Sequence, residues 1–454
     1  MTTYQTDHSH LIKKRLSHPV ARLFGAVALL GAWPARAQDG GGIDTGDTAW
    51  ILVATALVLF MNIPGLALFY AGLVRKKNVL SVLMQCFVLT AVMTVLWLVV
   101  GYSMAFSTTG MEEGKVNLNS FVGAMDLMML KGVTAATAEG SIPKLLHFAF
   151  QLTFFIITPA LMVGAFVERI KFSAVLWFTV LWNLVVYAPI CHMVWGGAGG
   201  YFADMGVQDF AGGIVVHITA GVGALVACII LGPRSGYPAK PMPPHNLTMT
   251  VTGAAMLWVG WFGFNGGSAL GANGDAASAL VVTQISAATA TLMWMFIEWA
   301  KFGKPSMLGA ATGSIAGLAA ITPASGTVGP IGALAIGALS GFICWWASTV
   351  LKKKLGYDDS LDVFGVHGVG GFIGTVMLAV FMAPAFGGVG GADFSIAGQL
   401  KVQLIAGVGT AVYTAIASLI ILKVVGAVVG LRVNEAEEDQ GLDLAYHGEE
   451  GYND

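Results

Sequence analysis

The sequence predicts an all-α integral membrane protein of about eleven transmembrane helices, and three observations carry that prediction. Hydrophobic residues make up 56% of the 454 residues and charged residues 11%, against roughly 25% charged in a soluble domain. A chain of this size with so few charges cannot cover its surface in water. Eleven runs of about twenty apolar residues follow one another, each the length a helix needs to cross a bilayer. Lys and Arg gather in alternate connections between those runs, as in a chain that crosses back and forth. Lipid leaves only helices or closed barrels as spanning structures, and these runs lack the alternation of barrel strands, so the spans are helices. Sixty glycines suit the close helix–helix contacts of such a bundle.

The elements follow in order. Lys13, Lys14, Arg15 and Arg22 precede and open an apolar run over 23–33, and Ala35-Arg36-Ala37 then supplies a small-x-small site. Residues 1–37 therefore read as a secretory signal peptide, with an uncleaved extra helix as the alternative. Residues 38–425 form the transmembrane domain, with spans near 48–73, 79–103, 144–168, 172–193, 209–232, 246–268, 276–300, 304–322, 330–351, 361–384 and 398–425. Residues 426–454 form a polar tail. Arg75, Lys76 and Lys77 follow the first span, Arg169 and Lys171 the third, and Arg234 and Lys240 the fifth. Lys301 and Lys304 follow the seventh, and Lys352, Lys353 and Lys354 the ninth. The connections after spans four, six, eight and ten carry neither residue, and only segment 104–143 mixes signs. The positive-inside rule then puts the N-terminus in the periplasm and the C-terminus in the cytoplasm of a multi-pass inner-membrane protein, in agreement with the signal peptide.

Ten spans divide into two sets of five with opposite orientation, plus an eleventh, and transporters built this way hold substrate at the repeat interface. The trace is short. Phe69-Tyr70-Ala71-Gly72 ends span one and Phe264-Asn265-Gly266-Gly267 ends span six. His217 sits in span five and His367 in span ten, equivalent places in the two halves.

Ionisable residues within spans are costly and tend to be functional. His217 and His367 either meet near the midplane and share a proton, or are two separately packed histidines bonded to backbone. Asp209, at the start of span five, either caps that helix or supports a cation bound outside. Trp195, Phe154, Phe264 and Ser268 gather towards the outer ends of spans four, three and six. Aromatic faces bind cations, and the alternative is an interfacial aromatic belt. The four cysteines form no CxxC pair and lie in or beside apolar runs, so they read as buried small hydrophobes. No HExxH, third histidine or cysteine partner supports a metal site, no nucleophile motif supports an enzyme, no cofactor is implied, and a net charge of -2 argues against nucleic acid.

Four stretches now make the chain recognisable: Asp209-Phe210-Ala211-Gly212-Gly213-Ile214-Val215-Val216-His217, Gly260-Trp261-Phe262-Gly263-Phe264-Asn265, Gly365-Val366-His367-Gly368-Val369 and, more loosely, Val163-Gly164-Ala165-Phe166-Val167-Glu168-Arg169. In this order they resemble the ammonium transporter family (Amt/Mep/Rh), closest to its bacterial members, over nearly all of the chain after Thr48. The resemblance implies a homotrimer with one path per subunit that takes ammonium, ammonia and methylammonium. It implies an outer ammonium site at Trp195 and Ser268 and stacked gating rings at Phe154 and Phe264. Asp209 would support that site from behind. His217 and His367 match the twin histidines of the lumen, and Leu66, Phe69, Leu257 and Val363 its apolar wall. Ala71 departs from the family's frequent glycine and removes no functional group. The tail, with Gly441-Leu442-Asp443 and His447-Gly448-Glu449, resembles the family's regulatory tail and implies blocking by a PII-type signal protein; a solvated, disordered end is the alternative. An ammonium sensor with little transport is the alternative function, and the short tail carries no appended signalling domain.

Ammonium and potassium share size and charge, so a pore of carbonyls separates them poorly. Ammonium differs in donating hydrogen bonds and in being able to lose a proton. An aromatic and hydroxyl site followed by an apolar constriction uses both differences, since a bare cation is costly there. Ammonia and a proton passed along the histidines would travel separately and recombine inside.

Overall fold

Residues 42–452 are described by a computed structural model; the signal segment 1–37 lies outside them. Among the described residues eleven helices are long and apolar enough to cross a bilayer: α1 Thr45–Leu73, α2 Lys76–Phe106, α3 Lys144–Phe166, α4 Phe172–Trp195, α5 Gly213–Leu231, α6 Leu247–Gly267, α7 Gly274–Phe302, α8 Met307–Ala324, α9 Pro330–Leu355, α10 Phe364–Phe381 and α11 Ile396–Val429. Polar side chains set several starts by accepting early backbone N–H groups. Asp44 accepts from Asp47, Asn246 from Met249, Asn273 from Asp275 and Ala276, Ser306 from Gly309 and Ser395 from Gly398. The apolar residues left exposed, such as Phe87, Val95, Trp177, Phe296 and Ile420, form the surface that a bilayer covers.

The helices form two inverted five-helix repeats and a final helix. α1 and α6, the first members of each repeat, pack together, as do α5 and α10, the last. α3 lies deepest: 83% of its most apolar window is buried, against 33% for α7 and for α11. That depth makes α3 the wall of whatever runs through the middle. α1 is broken at Ile63 (φ -129°, ψ 111°), just before Pro64. The Asn62 amide spans the break by donating to the Cys86 carbonyl and the Thr90 hydroxyl, which is how a broken membrane helix keeps its polar groups partnered.

Several boundaries differ from the sequence reading by up to four residues, and single dihedrals account for two of them. Span five starts at Gly213 rather than 209, because Gly212 turns through φ 118° and residues 209–212 precede the helix. Span ten starts at Phe364 rather than 361, because Asp362 takes φ 62°. The last helix runs to Val429, four residues beyond 425. The residues after it are ordered into α12, Glu435–Gln440, and a turn over Asp443–His447. The only strands among the described residues, β1 Ala138–Glu139 and β2 Ile142–Pro143, pair antiparallel in the segment between α2 and α3.

α5 and α10 cross very closely. A Cβ added at Gly371 would lie 2.7 Å from the Cβ of His217 and 2.9 Å from the Gly213 carbonyl. The side chain of residue 217 is thereby pressed against the backbone that carries His367.

Candidate functional site

The Asp209 carboxylate lies just before α5 and accepts four backbone N–H groups. One oxygen takes Gly212 at 3.0 Å and Gly213 at 2.6 Å; the other takes Ile214 at 2.8 Å and Val215 at 3.0 Å. These are the donors that a helix start leaves without intrahelical partners. The carboxylate is thus a helix cap, the first of the two readings for this residue. Its backbone carbonyl does a second job, accepting the indole N–H of Trp195 at 2.7 Å. Asp209 therefore holds the Trp195 indole through its backbone carbonyl.

Trp195, at the end of α4, is half-buried beside a vestibule of about 150 Å³ that Phe154, Ser268, Phe210 and His147 also line. The Ser268 hydroxyl donates to the Phe264 carbonyl at 2.8 Å. Its proton is spent there, and its oxygen remains able to accept an N–H. Beneath the vestibule Phe154 and Phe264 close the way. Their centroids are 4.4 Å apart, both rings are buried, and the edge of Phe154 meets Trp195 at 5.8 Å.

Below the rings a space of about 10 Å³, about the room one water needs, is lined by Leu66, Phe69, Leu257, Ile157, Leu161, Trp261, Phe264, His217 and His367 among others. His217 and His367 are 3.2 Å apart between their Nδ1 atoms, with rings nearly parallel at 17°. The two imidazoles thus lie in contact. Val363 is buried but does not line this space; it packs towards Gly164 of α3. One stripe of α3, from His147 through Phe154 to Ile157 and Leu161, follows the whole route from vestibule to lumen.

Two residues join the site that sequence reasoning passed over. Trp261 stacks on His217 at 5.5 Å and donates its N–H to the Thr322 hydroxyl at 2.9 Å. Asp359 is the counterpart of Asp209: its carboxylate accepts from Val363 at 3.1 Å and Phe364 at 2.8 Å, capping α10. The signal was available, since Asp209 precedes His217 by eight residues and Asp359 precedes His367 by eight.

At the opposite end from Trp195 lies a charged layer. Glu168 pairs with Arg75 at 2.8 Å and with Arg234 at 3.3 Å, and Arg234 pairs with Asp358 at 2.9 Å. Burial pushes the Glu168 carboxyl up, but Arg234 and Arg75 outweigh it and hold the group below its ordinary value. The tail docks on this layer. Asp443 accepts from Leu80 at 3.0 Å and Ser81 at 2.7 Å at the start of α2. Glu438 joins Arg432 at 2.8 Å to the Ser235 N–H at 2.6 Å. The four cysteines are buried with free thiols, and no cluster able to hold a metal ion occurs among the described residues.

An ammonium transporter of Aquifex aeolicus is 46% identical over 90% of this chain and 94% of its own length, and one of Bacillus subtilis is 43% identical over 90% and 99%. The crystal structure of Saccharomyces cerevisiae Mep2 superposes with a TM-score of 0.79 at 34% identity, covering 87% of this chain and 89% of that one. A protein described as a sensor Amt protein gives 0.81 at 27% identity, covering 88% and 98%. The sequence model of the Ammonium Transporter Family matches residues 49–452, and the chain belongs to that family.

Proposed function

We propose that this protein carries ammonium across the inner membrane, capturing the cation at a periplasmic vestibule and passing it through the apolar lumen as ammonia, with the proton moving separately. One observation carries the reading: Trp195, the Phe154–Phe264 pair and the His217–His367 pair lie in sequence along a single route. Trp195 offers a π face, worth about 0.5–2 kcal/mol to a cation, and Ser268 offers an oxygen to an N–H. The paired phenyl rings then exclude water, and a bare cation pays heavily in the apolar space below. A neutral molecule the size of water does not. The histidines are the only ionisable groups lining that space, so a proton parted from ammonium has them as its acceptors.

The working unit is a homotrimer, and the basic ends of the spans face the cytoplasm, in keeping with the Lys and Arg pattern. The docked tail is then cytoplasmic and is the surface on which a PII-type signal protein acts. The likeness to a sensor Amt protein favours a second reading, in which ammonium is bound with little flux. Vesicles containing the pure protein separate the two. The transport reading expects saturable uptake of labelled methylammonium that ammonium inhibits; binding without uptake would leave only the sensor.

A further inference from the structure

The geometry points to Gln151 as a further ligand of ammonium in the vestibule, its side-chain carbonyl accepting an N–H of the cation just before the Phe154 ring. This inference rests on the transport reading above and adds a residue to its capture site.

Gln151 lies seven residues into α3, about 10 Å along the helix. His147, Gln151 and Phe154 are spaced i, i+4 and i+7, which places them on one face. That face lines the vestibule together with Trp195 and Ser268. Gln151 is 8% exposed, and its Oε1 has no hydrogen-bond partner in the protein. No other group of the described chain bonds to its amide nitrogen either. A buried amide left without partners is expensive, and the great majority of buried polar groups are paired. The neighbours show that the site does not lack bonding opportunities. Tyr102 serves His147 at 3.1 Å, the Trp195 N–H is taken by Asp209, and the Ser268 proton is taken by Phe264. Among these lining polar side chains, Gln151 is the one with a buried atom left without a partner in the protein.

The chemistry matches an ammonium ion. Its four N–H groups need acceptors when water is stripped away. The vestibule presents the π faces of Trp195 and Phe154, the Ser268 oxygen and the Gln151 oxygen. As placed, Oε1 is shielded; turning the amide over exchanges its two ends, and the carbonyl is the end that a cation selects.

The test compares the wild type with Gln151→Met, which keeps the length and removes the acceptor, and Gln151→Glu, which restores an oxygen. Trimers purified in detergent are melted in rising ammonium chloride with sodium chloride as control, and methylammonium uptake is measured in vesicles. Wild-type protein melts higher with ammonium but not with sodium. In Gln151→Met the half-saturating concentration for both uptake and stabilisation rises roughly tenfold or more, the loss expected for one hydrogen bond to a charged group. Its melting temperature without ammonium stays the same or rises, since an unpaired amide has been removed. Gln151→Glu recovers tight capture. Unchanged concentration dependence in Gln151→Met, beside normal wild-type behaviour, overturns the assignment and makes water the amide's partner. A Gln151→Met trimer that melts lower without ammonium overturns it in favour of a packing role. Wild-type protein that neither carries nor responds to ammonium fails the transport reading itself, and the assignment with it.

Discussion

His217 and His367 meet through their Nδ1 atoms, and a hydrogen bond between two imidazole nitrogens requires one to donate and the other to accept. The pair thus holds one proton between the rings, and its transfer leaves both rings neutral only when another proton arrives at the donor's Nε2 and one leaves the acceptor's Nε2. An acidic replacement keeps a proton acceptor but puts a hydrated, polar group where the lumen was dry. His217→Asp and His367→Glu are accordingly expected to admit potassium alongside ammonium while the trimer persists; the measurement is potassium and methylammonium flux per folded trimer, and intact ammonium selectivity in both variants would remove the relay. Asp209 carries a different expectation. At a simple N-cap, asparagine replaces aspartate with little loss, but this carboxylate uses both oxygens for four donors. An amide has one oxygen, and its NH₂ would face the two N–H groups on the other side. Asp209→Asn should therefore destabilise the protein by about 1–3 kcal/mol for each donor left unpaired, read as a lower melting temperature. The site was largely legible at this scale because its residues carry unusual chemistry for a membrane span. Trp261 was not, since a tryptophan in an apolar run has no distinguishing pattern until its ring is found on His217.

At the scale of the element, spans were legible because length and hydropathy are imposed by the bilayer, and their ends were not, because ends depend on single dihedrals. Gly212 and Asp362 shift two starts by only a few residues. That shift conceals the matching Asp209–His217 and Asp359–His367 spacings unless the caps are known. The sequence also gives no sign of how near α5 and α10 approach, since glycine is common everywhere in this chain. Here the approach lies beside the two histidines. Gly371 lets the α10 backbone come against His217, so a methyl group there meets atoms at 2.7 and 2.9 Å. Overpacking of this kind costs about 1–3 kcal/mol, and relief requires the two helices to part. Gly371→Ala is expected to lower the melting temperature and to weaken the His217–His367 contact, so that uptake per trimer falls. Gly391, with open space around an added methyl, provides the control: Gly391→Ala should leave both unchanged.

Across the whole molecule, the capture site and the docked tail lie at opposite ends of the same helices, and the tail is where the sequence left two readings open. A solvated end would make few bonds to the bundle. Instead Lys77 donates to the Glu438 carbonyl at 3.0 Å, Asn78 accepts the Leu442 N–H at 2.8 Å, and Asp443 caps α2. These contacts join the tail to the connection between α1 and α2, whose Arg75 also holds the buried Glu168 at the base of α3. The same α3 lines the vestibule and lumen, so a chain of contacts runs from the tail to the path. Removing residues after Arg432 would uncover N–H groups near the start of α2, a cost confined to the end opposite Trp195. The Trp195–Phe154, Phe154–Phe264 and His217–His367 contacts, none of which involves a tail residue, would remain. A protein truncated there is expected to assemble and to take up methylammonium when tested alone. It should no longer respond as the full-length chain does to a PII-type protein added on the cytoplasmic side. Uptake by both forms, with and without that partner in the same vesicles, is the measurement. Equal inhibition of the two would detach the tail from regulation, and loss of basal uptake on truncation would make it a structural brace for the α1–α2 connection instead.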